Sequence, residues 1–286
     1  MGDKITPTSN VVLIGEGVWG KKVQRVISDN SDRIVEQFSA RSIVSGNVSI
    51  PKHFQDNCIF WIATSPELQI KTLSKISNFA QKIILEKPIA NNAKQFIDLE
   101  NELDKVQYKL FISEVWSHSV FWETLLIKIK KESHNIKSIV IKRYGEAPHS
   151  HIHPPLDWIT HDINLLFRLG KSLGSWLELK KIDWGQELQQ ISIEADLPGY
   201  FSVDLKGGKS ENGREAIWNL YGENGIIVSA NFLKNSISTE LESVNPVIHT
   251  SVEHPIISYL DCVEASDHCQ AEKEQINLHG HLVEEV

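Results

Sequence analysis

A lysine that could stabilise developing negative charge follows a short apolar run. Residues 83–85 (Ile-Ile-Leu) have the composition of a buried strand, and Glu86, Lys87 and Pro88 come directly after it. Parallel sheets bind ligands in the crevice outside the carboxyl ends of their strands. Pro88 restricts the backbone of the residue before it, so the ammonium group would be held on a stiff turn. Lys87 is therefore a candidate catalytic residue, although most such triplets are surface turns before a helix.

A carboxylate and an imidazole occur four residues apart at the start of a helical pattern. Asp157 and His161 follow two prolines, and apolar residues recur with helical spacing over 159–169. Side chains four residues apart share a helix face, and an aspartate near a helix N-terminus favours its charged form, which could orient or charge-stabilise an imidazole. The pair could therefore move a proton. A helix-capping aspartate beside a partly buried histidine is the alternative, and the pair by itself favours that alternative.

The element that would position these groups begins near the N-terminus. Residues 11–14 (Val-Val-Leu-Ile) are typical of a strand, and they run into Gly-Glu-Gly-Val-Trp-Gly at 15–20, after which a helical pattern begins. This arrangement is typical of a site for a dinucleotide pyrophosphate. Gly15 would make the tight turn, Gly17 would let the phosphates approach the backbone, and Gly20 would let helix and strand pack closely. The N-terminus of the helix would add N–H donors and the positive end of its dipole.

The choice between NAD and NADP depends on the end of the second predicted strand, at 33–38. An NAD enzyme needs a carboxylate there for the ribose 2′-OH, whereas an NADP enzyme needs small polar and cationic groups for the 2′-phosphate. Glu36 falls inside the predicted strand, and the strand exit carries Ser39 and Arg41 without an acid. The sequence therefore favours NADP(H) over NAD(H). We predict cofactor contacts from Gly15, Gly17, Val18, Trp19, Gly20, Ser39, Arg41, Thr64, Ser65, Glu86 and Lys87.

Predicted strands and helices alternate in the first part of the chain. The strands are expected at 11–14, 33–38, 58–63, 82–85 and 108–112, and the helices at 21–27, 68–80 and 93–103. This alternation implies βαβ crossovers and a doubly wound parallel sheet, which is the Rossmann arrangement. We therefore predict an α/β protein with a dinucleotide-binding domain at residues 1–117.

Strands follow one another with few helices in the second part of the chain. After a helix at 120–131, strands are expected at 136–144, 175–184, 188–195, 200–205, 215–221 and 225–230, with helices at 159–169, 255–265 and 278–286. Several strands alternate apolar and polar residues, which suits a sheet with one buried face. We predict an α+β substrate domain at 118–286, built on a largely antiparallel open sheet.

The order of these motifs resembles the Gfo/Idh/MocA family of oxidoreductases, which includes glucose–fructose oxidoreductase and inositol dehydrogenases. G-x-G-x-x-G, then E-K-P after a later strand, then D-x-x-x-H at a helix start carry the resemblance, with further likeness at 62–66 and 221–225. It covers essentially the whole chain. The resemblance implies that Lys87, Asp157 and His161 form the active site.

Several positions depart from the family pattern. Pro154 and Pro155 replace glycines that often precede the aspartate, and Ile159 replaces a glycine that often follows it. Asn164 replaces the closing Asp of H-x-x-D, and Gln69 replaces a usual histidine. The chain is also shorter than most members. These departures spare the three catalytic positions and leave the substrate class open.

The resemblance implies hydride transfer between a nicotinamide and a small-molecule carbonyl or alcohol, by default a sugar- or cyclitol-like one. His161 would accept the hydroxyl proton during oxidation and donate it during reduction, Lys87 would stabilise oxyanion charge, and Asp157 would orient substrate or tune His161. Reduction of a C=N or conjugated bond, as in imine reductases and biliverdin reductase, is the first alternative. A non-catalytic nucleotide-sensing regulator is the second, and the intact residue set argues against it.

Aromatic and histidine residues near the second motif are candidates for substrate binding. We predict contacts from Trp116, His153 and Trp158, although core packing is the default role of a tryptophan. His149, His151 and His153 alternate and could gather a metal ion. No cysteine or carboxylate cluster completes such a site, and the two following prolines indicate a loop, so we expect no metal.

Composition excludes several other classes of protein. The chain has 286 residues and a net charge of −8, which gives no reason to expect nucleic acid or an anionic membrane as partner. It has no apolar run of membrane-spanning length and no secretory signal pattern. Cys58, Cys262 and Cys269 are sparse, as expected for reduced thiols. We expect a cytoplasmic protein that could form a homo-oligomer through its open sheet.

Overall fold

Helices and strands alternate up to residue 115 in the computed structural model, and consecutive strands follow. The described residues are 9–55, 58–103, 109–146, 152–210, 213–239, 243–244, 254–265, 270–284 and 286. The elements up to residue 115 are β1 (Asn10–Ile14), α1 (Val18–Asn30), β2 (Val35–Phe38), α2 (Ala40–Val44), β3 (Cys58–Ile62), α3 (Pro66–Ile76), β4 (Lys82–Leu85), α4 (Ala93–Leu103) and β5 (Lys109–Ile112). The later elements are α5 (Val120–Glu132), β6 (Ser138–Gly145), α6 (Pro154–Leu173), β7 (Glu178–Trp184), β8 (Gln190–Leu197), β9 (Phe201–Lys209), β10 (Glu215–Gly222), β11 (Gly225–Asn231), β12 (Ser236–Thr239), β13 (Ser243–Val244), α7 (Pro255–Ala265) and α8 (Lys273–Val283).

The chain divides into two units. The first unit comprises Met1–Val115 and Glu253–Glu284, and the second comprises Trp116–Val252 and the last two residues. The first boundary lies close to the predicted one at 117. The predicted second domain, 118–286, differs from the structure, because the segment with α7 and α8 belongs to the first unit.

The sheet of the first unit is parallel, with the strand order β2-β1-β3-β4-β5, which confirms the predicted doubly wound arrangement. The chain adds β2 on one side of β1 and β3 on the other. The order therefore reverses beside β1, and doubly wound sheets bind their ligands at such a switch point. In the register, Ile14 pairs with Phe38 on β2 and with Ile62 on β3, so the glycine motif leaves the sheet at this point.

Two apolar layers cover the faces of this sheet, because alternate strand residues point to opposite faces. Val11 and Leu13 pack in the layer with α1 and α7, and Val12 and Ile14 pack in the layer with α3 and α4. Helix α7 joins the first unit because its apolar residues complete the first layer; they are Ile256, Ile257, Tyr259, Leu260 and Val263.

Polar contacts also tie α7 to the first unit. The side chain of Arg33 is fully buried, and its Nη2 donates to Asp261 at 2.5 Å and to Glu264 at 2.7 Å. The hydroxyl of Tyr259 donates to the carbonyl oxygen of Ile112 at the end of β5, at 2.7 Å. No local pattern indicates these contacts, since more than a hundred residues separate the partners.

The cysteines differ from the expectation of reduced thiols. Cys58 is a buried thiol on β3, whereas Cys262 is disulfide-bonded. Cys269 lies outside the described residues. The expectation was wrong for Cys262 because cysteine count and spacing do not show which thiols tertiary packing brings together.

The second unit contains a sheet with the order β13-β12-β11-β10-β6-β9-β8-β7. Its strand pairs are antiparallel except β6–β9, which confirms the predicted largely antiparallel open sheet. Helix α6 packs on one face, over β6, β8 and β9. Burial alternates along these strands, so that Ile139, Ile141, Val203 and Leu205 lie on the covered face. Among the described residues, no helix is both long and apolar enough to cross a membrane.

Helix α6 begins five residues before the predicted start. Pro154 and Pro155 occupy its first turn, where the absent proline N–H costs no hydrogen bond. The loop that these prolines predict is the histidine segment before them, of which His153 has an extended backbone at the N-cap, outside the helix. The helix ends at Gly174, whose φ of 71° is the left-handed conformation that favours glycine at this position.

Candidate active site

Two glycines allow the close packing of the turn after β1. Gly15 has a φ of +139°, and a Cβ there would lie 2.1 Å from the carbonyl oxygen of Ala63. A Cβ on Gly20 would lie 2.4 Å from the carbonyl oxygen of Gly15. Any side chain at either position would displace backbone atoms, so the approach of α1 to the sheet requires glycine at both.

The middle glycine faces open space instead. A Cβ on Gly17 would meet no atom within 4 Å, and the neighbouring Val18 is 86% exposed. Gly17 is the N-cap of α1, and no side chain caps that helix end. An uncapped helix start offers N–H donors and a positive dipole end, which are the groups that bind a phosphate. The residues present therefore fit the pyrophosphate of a dinucleotide.

The exit of β2 carries the residues expected to select the cofactor. β2 spans Val35–Phe38, so Glu36 lies inside the strand, where it pairs with Val12. Ser39 is the N-cap of the short helix α2, without a side-chain capping bond, and Arg41 is exposed on that helix. A hydrogen bond that the sequence did not reveal joins this strand to the glycine turn: Gln37 Nε2 donates to the carbonyl oxygen of Gly15 at 2.6 Å.

Glu86, at the end of β4, is a buried carboxylate held by two tryptophans. The indole N–H of Trp19 donates to its Oε1 at 2.5 Å, and that of Trp61 donates to the same oxygen at 2.9 Å. Burial raises the pKa of Glu86 above its ordinary value, and the two indole hydrogen bonds act in the opposite direction. Trp19 belongs to the glycine motif, so this contact joins the motif to the turn that carries Lys87.

Gln69 of α3 holds the backbone of the same turn. Its Nε2 donates to the carbonyl oxygens of Glu86 at 2.9 Å and Pro88 at 3.3 Å, and its Oε1 accepts from the Glu86 N–H at 2.7 Å. Lys87 is half-buried, and the Lys87–Pro88 peptide bond is cis. The sequence marked Gln69 only as a departure from the family pattern. In the structure it fixes the backbone on both sides of Lys87.

Asp157 and His161 lie one turn apart near the start of α6, in the second unit. His153 is the N-cap of the helix, Asp157 lies in its first turn, and both members of the pair are half-buried. The ring of Trp116 meets the His161 ring edge-on, with centroids 6.3 Å apart. Trp116 is 37% exposed. His161 is therefore not enclosed in the core.

The other predicted substrate residues have structural contacts. A Cβ on Gly145 would lie 2.5 Å from the ring of Trp158, whose indole N–H donates to the carbonyl oxygen of Glu146 at 3.2 Å. The His153 ring lies 6.4 Å from that of Trp184, and burial lowers its pKa. Trp158 thus packs against the end of β6, which is the default role for a tryptophan.

The three alternating histidines are the candidates for metal binding. Of these, His149 and His151 lie outside the described residues. Within the described part of the chain, no group of three or more His, Cys, Asp or Glu side chains could hold a metal ion.

A buried ion pair next to His161 was not predicted. Arg143 on β6 donates from Nε and Nη2 to the two oxygens of Asp162, each at 2.7 Å. The indole N–H of Trp218 donates to Asp162 Oδ1 at 2.7 Å, and the Arg143 guanidinium lies 4.9 Å from the Phe232 ring centroid. The carboxylate beside His161 thus faces the sheet and anchors α6. One sequence feature could have indicated this role: helical spacing places Asp162 on the face of α6 opposite Asp157.

Comparison with solved structures shows the fold. The chain is similar to a dehydrogenase (MviM) from Clostridium difficile, with a TM-score of 0.70 and 15% identity over 96% of this chain and 97% of that one. It is also similar to UDP-N-acetylglucosamine 3-dehydrogenase GnnA from Acidithiobacillus ferrooxidans (TM-score 0.68, 12% identity, 96% of both chains). For a putative myo-inositol dehydrogenase from Sinorhizobium meliloti 1021 the values are 0.64 and 13%, over 96% and 95% of the chains.

Sequence comparison matches the chain to no family model and to no curated protein. The likeness to these dehydrogenases is therefore one of structure. It confirms the fold implied by the resemblance to the Gfo/Idh/MocA family, a Rossmann unit with an open-sheet unit.

Proposed function

We propose that the protein is an NADP(H)-dependent oxidoreductase of the Gfo/Idh/MocA type. It would transfer a hydride between the nicotinamide and the carbonyl or alcohol of a sugar- or cyclitol-like small molecule. The observation that carries the proposal is the open, uncapped start of α1 at Gly17, at the switch point of a parallel sheet. The names of the similar structures, which include dehydrogenases of an aminosugar nucleotide and of myo-inositol, support this substrate class.

The residues of the first unit would bind the cofactor. The backbone at Gly17 and Val18 would hold the pyrophosphate, and Ser39 and Arg41 would hold the 2′-phosphate. Thr64 and Ser65, which follow β3 at the same edge of the sheet, would border the dinucleotide. The bound dinucleotide supplies the hydride donor or acceptor through its nicotinamide.

Three side chains would act on the substrate. His161 would move the proton between solvent and the substrate oxygen, and Asp157 would orient that imidazole or the substrate. Lys87 would stabilise the negative charge that develops on the oxygen. Trp116, whose ring contacts His161, would provide an apolar surface for the substrate ring.

Cofactor selection is tested by binding. NADPH should bind at least about tenfold more tightly than NADH, which corresponds to about 1.4 kcal/mol. Arg41→Ala should remove most of that difference by weakening NADPH alone, as measured by fluorescence titration. Lys52→Ala is a suitable control because Lys52 is also an exposed cation of this unit. Equal affinities in the parent protein would assign ribose recognition to another residue.

The reaction is tested with a panel of keto-sugars, cyclitols and cyclic imines under NADPH or NADP⁺. Turnover of the sugars or cyclitols supports the proposal, and turnover of imines alone would replace it with C=N reduction. Dinucleotide binding without turnover of any compound would favour a non-catalytic nucleotide-sensing regulator.

With a substrate identified, the pH–rate profile should contain a titrating group that disappears in His161→Ala.

A further inference from the structure

Trp19 connects two parts of the first unit that the proposed function treats separately. It is the fifth residue of the glycine motif and lies in the first turn of α1. Its indole N–H reaches Glu86, the residue before Lys87, across 67 positions of sequence. The contact therefore joins the start of the phosphate-binding helix to the turn that presents the lysine.

The carboxylate that receives this contact has little freedom. Glu86 is 6% exposed, and its Oε1 accepts from both Trp19 and Trp61. Trp61 is fully buried in the core of the sheet, where its ring meets Tyr259 edge-on at 5.9 Å. One donor is thus fixed by the sheet, whereas the other is supplied by a half-buried residue of the glycine motif.

The backbone around Lys87 is fixed separately by Gln69. Removal of the Trp19 contact should therefore leave the turn folded while it alters the surroundings of the lysine. The ammonium of Lys22 lies 5.4 Å from the centroid of the Trp19 ring. The cation and the face of the ring attract each other, which favours this placement of the indole.

We propose that Trp19 is a positioning residue that acts through Glu86. It couples ligand binding at the phosphate-binding turn to the arrangement of the Lys87 side chain. Phosphates that bind the N–H groups of the first turn of α1 would fix Trp19. A fixed Trp19 would hold the Glu86 carboxylate, and with it the adjacent Lys87, in one arrangement. This inference rests on the proposed dinucleotide site and adds a regulated contact within it.

The test uses a ligand that fills the turn without reaching the lysine. Adenosine 2′-phosphate 5′-diphosphate carries the pyrophosphate but neither the second ribose nor the nicotinamide. Calorimetry measures its binding. Acetylation of Lys87, followed by peptide mass spectrometry, measures the state of the lysine, with exposed Lys75 on α3 as the internal reference.

In the parent protein, saturating ligand should change the acetylation rate of Lys87 relative to Lys75 by about fivefold, the low end of ordinary coupling between two sites. Trp19→Phe keeps an aromatic ring and removes the N–H. It should bind the ligand within about threefold of the parent affinity and lose most of the change at Lys87. Glu86→Gln retains an acceptor oxygen and should preserve the change.

Trp176→Phe is the matched control, because Trp176 is 61% exposed in the second unit. Glu86→Met, which removes the acceptor and nearly conserves volume, replaces Trp19→Phe if that variant does not fold. An unchanged effect on Lys87 acetylation in Trp19→Phe, or in Glu86→Met where it is used instead, would overturn the inference, since direct shielding of Lys87 by the ligand would then explain the effect. Binding of the ligand to the parent protein without any change in the acetylation rate of Lys87 would also overturn the inference, while it would leave the proposed dinucleotide site intact. Absence of binding would overturn both.

Discussion

In the described part of each unit a buried carboxylate accepts indole hydrogen bonds, and the two sites differ in the charge of their donors. Asp162 in the second unit receives Trp218 together with both donors of the Arg143 fork. Glu86 in the first unit receives Trp19 and Trp61, which are neutral donors. Asp162 thus accepts hydrogen bonds from a buried cation, whereas the two indole donors of Glu86 are neutral and the charge of Lys87 acts on it from the next residue.

This difference indicates different purposes. The bidentate pair joins α6 to β6, Trp218 joins the same carboxylate to β10, and all three residues are buried in the second unit. Glu86 is at the end of a strand beside a half-buried lysine, and burial raises its pKa because no hydrogen bond it receives fully offsets desolvation. We infer that the Asp162 site serves stability, and that the Glu86 site accepts an energetic cost in order to hold Lys87.

The largest expected effect is the loss of the Asp162 carboxylate. Asp162→Ala leaves Arg143 as an uncompensated buried charge, and such losses cost about 3–5 kcal/mol. Urea denaturation followed by circular dichroism measures the free energy of unfolding. Asp204→Ala is the control, because Asp204 is a partly exposed residue of the same sheet and should change that energy by less than about 0.5 kcal/mol. A similarly small decrease in the free energy of unfolding for both variants would contradict the structural role of Asp162.

The next effect concerns rate. Lys87→Ala should lower turnover by about a hundredfold or more while NADP(H) still binds, because the charge of Lys87 is needed mainly in the transition state. Its free energy of unfolding should stay near that of the parent. Lys75→Ala, an exposed lysine of the same unit, should change neither quantity. Unimpaired turnover in Lys87→Ala would show that the E-K-P segment is a structural turn. The Glu86 site would then have no catalytic role to set against the structural role of Asp162.

The sequence predicted those features that depend on neighbouring residues. β4 and α4 have the predicted bounds, and the strand–turn–helix around Gly15 forms as expected. The pair Asp157 and His161 does share the first turns of one helix. Each of these features follows from hydrophobic period, glycine position or helix spacing, which are legible over a few residues.

The features that were missed depend on distant residues. No local pattern shows that Trp19 meets Glu86, that Arg143 meets Asp162, or that α7 completes the layer beside α1. The helix predicted at 159–169 begins five residues too late, although proline is well suited to a first helical turn. The glycine motif and the catalytic candidates were therefore visible in the sequence, whereas the contacts that hold them were not.

The smallest expected effect tests the raised pKa of Glu86. A carboxyl whose pKa is higher in the folded than in the unfolded protein stabilises the fold below its unfolded value, about 4.5, and this contribution is lost as pH rises through the folded value. Gln cannot ionise and still offers an oxygen to both indoles. Glu86→Gln should therefore gain stability relative to the parent as pH rises above 4.5, by at most about 1.4 kcal/mol per pH unit within the titration window.

Urea denaturation between about pH 4 and about pH 8, which roughly spans the titration of a carboxyl group, measures the difference in free energy of unfolding between Glu86→Gln and the parent. Exposed Glu67, whose pKa is lowered by its hydrogen bond to Lys71, provides the control, because Glu67→Gln should show no such rise. A stability difference for Glu86→Gln that is independent of pH would show that Glu86 does not titrate in this range. The contrast with Asp162 would then rest on hydrogen bonding alone.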